Sequence, residues 1–122
     1  MSENQGYRAF TAGEELAAAR RVKIKSATAT TPPEVVYADA DEADIGVTAL
    51  AGASGALVTV RLRTCSGSVE IEAGEAFAVG AGLYGGADGK VVDTDPGSGT
   101  LRYTALEAAG SAGAIVECLV AR

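Results

Sequence analysis

The chain has 122 residues, a formal net charge of −6 and no histidine. Its length admits one domain with a modest core, and its acidity disfavours binding to a phosphate backbone. The missing histidine removes the usual general base, the usual zinc ligand and the ordinary switch near neutral pH.

The large aliphatics are 12 Val, 8 Leu and 4 Ile, with two Phe and no Trp. A core of this size leaves little margin over chain entropy, so subunits are expected to share burial in an oligomer. The opening "MSENQGYRAF" is polar, without an apolar signal region, and no run approaches membrane-spanning length. It predicts a soluble chain with a flexible N-terminal arm over 1–9, followed by a single β-rich domain over 10–122. "AGEEL", Ala12 to Leu16, leads into an alanine-rich stretch that can form one or two helical turns over Glu14–Arg21. Val22-Lys23-Ile24-Lys25 then alternates as a strand with both lysines on one face. Arg20, Arg21, Lys23 and Lys25 form a basic patch with no interleaved aromatic, best read as a solvated face or as salt-bridged to Glu70 and Glu72. Pro32-Pro33 ends any helix. "DADEAD", Asp39 to Asp44, lacks the glycine and distal glutamate of a calcium loop and reads as a solvated acidic loop.

Val58 to Arg63 and Val69 to Glu72 both alternate, with Ser66-Gly67 between them. That dipeptide suits a two-residue hairpin, which would set Arg63 opposite Glu70, Arg61 opposite Glu72 and Leu62 opposite Ile71. Cys65 and Cys118 have no CxxC spacing and read as reduced residues of the core or the surface; Cys65, at the end of that hairpin, is also a candidate exposed thiol, and a disulfide to Cys118 stays open. "AGEAFAVGAGLYGGADGKVVDT" follows from Ala73 to Thr94, with a second short helical segment possible over Glu75–Val79. Its six glycines match no phosphate-cradle pattern, so they read as turn residues and points of close backbone approach. Asp88-Gly89 predicts a hairpin joining Leu83-Tyr84 to Val91-Val92. In the closing strand Val116, Cys118 and Val120 face the core, while Ile115 and Leu119 point outward as candidate subunit contacts.

The two halves resemble one another. Ala12-Gly13-Glu14 recurs as Ala73-Gly74-Glu75, Thr48-Ala49-Leu50 as Thr104-Ala105-Leu106, and Gly55-Ala56-Leu57-Val58 as Gly113-Ala114-Ile115-Val116. The fold class is therefore all-β, a small barrel or sandwich built from two similar halves. Ser66, Ser98 and Thr64 have no histidine or lysine partner at a suggestive spacing. No catalytic, cofactor-binding or metal-ligating residues are assigned, and a surface made to touch other proteins is what remains.

"FTAGEELAAARRVKIKS", "DEADIGVTAL", "GALVTVRL", "VEIEAGEAFAVGAGLYGGADGKVVD" and "ALEAAGSAGAIVECLV" together resemble the capsid decoration, or cement, proteins of tailed bacteriophages. The resemblance runs from Phe10 to Val120. It departs at Leu101-Arg102-Tyr103, where an Ile-Gly matching Ile45-Gly46 is expected. It implies a non-enzymatic virion protein, commonly a homotrimer, assembled in the host cytoplasm. Such a protein sits on the outer capsid surface, binds the major capsid protein after expansion and cements neighbouring subunits, with no cofactor, nucleic acid or membrane involved. Tyr7, Arg8 and Phe10, two aromatics and a guanidinium on the N-terminal arm, are the candidate capsid contacts. The alternative is a small carbohydrate- or ligand-binding barrel acting in host attachment, for which Tyr37, Tyr84 and Tyr103 would have to converge.

Overall fold

A computed structural model describes residues 6–25 and 32–121. Ten short strands follow in chain order: β1 (Tyr7–Ala12), β2 (Arg21–Ile24), β3 (Glu34–Tyr37), β4 (Gly46–Thr48), β5 (Leu57–Leu62), β6 (Ser68–Glu72), β7 (Gly82–Gly85), β8 (Val91–Val92), β9 (Tyr103–Ala105) and β10 (Ile115–Val120). The first five close into a barrel in the order β1-β3-β2-β4-β5, antiparallel except at the β1–β3 seam, where Ala12 lies opposite Val35. The last five form a sheet in the order β6-β10-β9-β7-β8. Taken from its other end, that order repeats the first half strand for strand. The parallel bridge Ala73↔Val91 stands where the first barrel has its seam.

The duplication extends to single hydrogen bonds. Gly13 N–H donates to Val35 C=O and Gly74 N–H to Val91 C=O, both at 2.8 Å. Leu16 and Gly52 exchange two backbone bonds, as do Phe77 and Ala109. The repeated Ala-Gly-Glu has a separate task at each position. Its alanine is buried beside the seam. A Cβ on its glycine would come within 3.0 Å of Val36 at Gly13 and 2.9 Å of Val92 at Gly74. Its glutamate closes the end of the neighbouring strand: Glu14 accepts from Tyr37 N–H, and Glu75 accepts from the N–H groups of Asp93 and Thr94, all at 3.0 Å.

One core fills the first barrel around Phe10, Leu16, Val22, Val35, Val58 and Val60. The second gathers Ile71, Phe77, Leu83, Tyr103, Val116 and Cys118, and takes in Val47 and Cys65 from the chain preceding β6. β10 alternates as its sequence predicts, with Val116, Cys118 and Val120 buried and Ile115, Glu117 and Leu119 exposed.

Two expectations are overturned, and the open reading of the cysteines is decided. β5 pairs with β1 and β4, and β6 pairs with β10, so no hairpin forms across Ser66-Gly67. Barrel closure uses both edges of β5, and the turn signal becomes the passage between the halves. Glu14–Arg21 and Glu75–Val79 are not helical. Leu16 and Phe77 are held in backbone bridges, and Ala19 (φ 62) and Gly80 (φ 84) turn left-handed at equivalent places. The nearest to a helix among the described residues is the three-residue Ala87–Gly89 segment, and its backbone is not helical, with φ 56 at Asp88. Of the readings left open for the cysteines, the core one holds: Cys65 is buried and forms no disulfide with Cys118. The Asp88-Gly89 hairpin forms as expected: Tyr84 faces Val92, and φ is 56 and 76 at the two central residues, the signature of a type I′ turn.

Candidate functional site

The densest polar cluster lies where the two halves meet. Arg21 opens β2 with a fully buried side chain, so each of its N–H groups needs an acceptor inside the protein. Nε donates to Lys90 C=O at 3.0 Å; Nη2 reaches Gly86 C=O at 2.8 Å and Ala38 C=O at 3.0 Å. Nη1 donates to Glu42 C=O at 3.1 Å and to the buried Asp44 carboxylate at 3.3 Å. The other oxygen of Asp44 accepts from Arg63 at 3.1 Å and from the Tyr103 hydroxyl at 3.0 Å. Arg63 lies 5.0 Å from the centre of the Tyr103 ring and donates onward to Arg102 and Ala121 carbonyls. Arg21, Asp44 and Arg63 come from the first half; Gly86, Lys90, Arg102 and Tyr103 come from the second. The cluster is an ionic joint.

The glycine-rich stretch is the seat for that joint. A Cβ at Gly85 would stand 2.8 Å from the Arg21 guanidinium, and one at Gly89 would stand 2.6 Å from the Arg21 carbonyl. The β7–β8 turn can close over the arginine only without side chains at these points. Two readings of the sequence are corrected here. Asp44 does not belong to a solvated acidic loop, and Arg21 does not belong to a solvated basic face; a buried cation and a buried anion were hidden in runs of like charge. Arg20 does pair with Glu72 at 3.0 Å, whereas Lys23 pairs with Glu42 at 2.8 Å and Lys25 with Glu34 at 3.3 Å.

Chemically the joint holds rather than reacts. Burial, and then the charge of Asp44, push the Tyr103 phenol well above its ordinary range, so it stays a hydrogen-bond donor. Burial, with Glu107 and Glu117 adding to it, pushes the Cys118 thiol up to about 12. No group of three or more His, Cys, Asp or Glu suited to a metal occurs among the described residues. Tyr103 is also withdrawn from any exposed aromatic platform, and the Tyr37 hydroxyl accepts from Ala17 N–H at 2.8 Å.

The surface residues singled out from sequence are scattered by the fold. Tyr7 and Arg8 open β1, paired with Arg61 and Val60 of β5, while residues 1–5 of the expected arm lie outside the described residues. Phe10 is 3% exposed, in the first core beneath the Arg8 guanidinium, and so cannot serve as a surface contact. Ile115 and Leu119 do stand on the outer face of β10, 54% and 45% exposed. Sequence reading missed their company. Leu50 and Leu57 are exposed in the first half, and Leu106 and Ile115 are exposed at the corresponding places in the second. The repeat itself carried that signal, because both pairs fall inside the matched segments. Between the halves runs an open cleft of about 610 Å³, walled by Tyr7, Thr48 and Arg61 on one side and by Ser68, Glu70 and Glu117 on the other.

A profile of the phage cement protein family matches residues 8–121. The chain belongs to that family. The cement-family fold is also similar to the crystal structure of the N base of head fiber gp8.5 of bacteriophage phi29, with a TM-score of 0.78 and 23% identity over 94% of this chain and 92% of that one. None of the curated proteins matches the sequence. For a cement-family chain, a closed barrel joined to a five-stranded sheet is a structural part of a capsid, and its polar cluster is internal bracing.

Proposed function

We propose that this protein binds the outer surface of the expanded capsid, engages the major capsid protein and holds neighbouring shell subunits together, acting as a homotrimer without enzymatic activity. The family match across residues 8–121 is the observation that carries this reading. The joint, in which the buried Arg21 and Asp44 are both partnered, supports it, since a clamp has to resist pivoting between its halves. Tyr7 and Arg8 remain as the proposed capsid contacts, with Phe10 beneath them as support. Ile115 and Leu119 are the proposed contacts between copies, because paired exposed aliphatics on a flat strand face suit a protein interface. Co-sedimentation tests the reading: the protein is expected to pellet with expanded shells and to stay in solution with immature ones. Equal recovery with both, or with neither, overturns it.

A further inference from the structure

β6 is an edge strand, and its outer edge faces the cleft. Ala73 N–H bonds to Ala114 C=O, on the β10 side, whereas Glu72 N–H turns the other way to Ala19 C=O at 2.8 Å. Alternation along the strand then points the N–H and C=O groups of Ser68 and Glu70 away from β10, as it does for Glu72, and among the described residues no strand pairs with them. An open edge of this kind is a template for another extended chain. A second observation bears on the same place. Glu70 and Glu117 are register partners across β6 and β10, both exposed, and neither has a cationic partner among the described residues. Like charges directly opposed on one sheet face are destabilising, and a cation supplied from outside relieves them.

We propose that the cleft receives an extended segment of a shell subunit, which adds as a strand to the outer edge of β6 and sets a lysine or arginine against the Glu70–Glu117 pair. This rests on the capsid-binding reading and names the element through which it acts. An added strand places its side chains directly opposite those of β6, within reach of Glu70. Because the opening lies beside Ile115, a second copy of this chain is the rival occupant.

Hydrogen exchange on the full chain, free and bound to expanded shells, tests the proposal. The Ser68 and Glu70 amides are expected to exchange rapidly in the free protein and about tenfold or more slowly on shells. Glu70→Pro removes an outward N–H without touching the β10 ladder and is expected to weaken shell binding by about tenfold. Glu70→Gln keeps that N–H, and its binding is expected to be weaker and less sensitive to salt than that of the parent. Shell binding that leaves both amides unprotected overturns the proposal, whether or not the proline variant folds. So does protection that appears in the free protein as its concentration rises, which assigns the cleft to a second copy. Failure of the parent to bind expanded shells at all refutes the capsid-binding reading itself, and the strand addition with it.

Discussion

Arg21 shows how one side chain can decide an interface. It spends its donors on carbonyls from both halves and on Asp44, all out of reach of the surface. Removing one partner from a buried ionic group leaves the others stranded, at a cost of about 3–5 kcal/mol. Arg21→Met is therefore expected to lower the unfolding free energy by that amount in urea titration, and Arg21→Lys to recover little of it, since an ammonium cannot span the same acceptors. The glycines around it divide by what a Cβ would meet. Gly80→Ala, at φ 84 with nothing within 4 Å, is expected to cost about 1 kcal/mol from backbone strain alone. Gly89→Ala, at φ 76 against the Arg21 backbone, is expected to cost clearly more in the same assay. Equal losses at the two positions would mean that close approach contributes nothing. Glu42 adds a pH dependence. The Lys23 ammonium and the Asp39 N–H hold its carboxyl below its ordinary 4.5. A depressed carboxylate stabilises the fold above its unfolded pKa and stops doing so as pH falls through the folded one. Glu42→Gln is thus expected to be less stable than the parent at pH 7, with the gap closing progressively below 4.5.

At the scale of elements, what could be read from the sequence was whatever is written in neighbouring residues. The alternation of β10, the Asp88-Gly89 turn and the internal repeat all rest on local patterns, and each appears in the fold. The Ser66-Gly67 hairpin was an equally good local pattern and failed. Choosing between β6 and β1 as the partner of β5 is settled by closing a barrel over fifty residues of chain, which no dipeptide records. The helical segments failed for the same reason, as bridges at Leu16 and Phe77 outweigh alanine propensity. The joint was illegible because burial of Arg21 and Asp44 depends on the second half packing over them. The outer row of β10 was legible, and it carries its own test. Replacing Ile115 and Leu119 together by Thr, which keeps β propensity, is expected to shift the mass in light scattering from that of the proposed trimer to that of a monomer, with little change in thermal midpoint. An unchanged trimer would place the subunit contact elsewhere.

For the whole molecule, a closed barrel and a five-stranded sheet are braced by an ionic joint, and resistance to pivoting is what the proposed cementing requires. A protein that binds only the expanded lattice stabilises it by mass action, about 2.7 kcal/mol per site at a hundredfold excess over Kd, and the linked copies of the proposed trimer would add avidity. Expanded shells are therefore expected to come apart at temperatures that rise with the logarithm of added protein, while immature shells show no change. The joint separates holding from mere binding. Below its own unfolding temperature, Arg21→Met is expected to keep the barrel, the sheet and every exposed residue while the halves gain freedom to pivot. Saturating amounts of it are expected to occupy shells as the parent does and to raise their disruption temperature less. Full stabilisation by the loosened variant would show that occupancy alone cements the lattice and that Arg21 serves folding only.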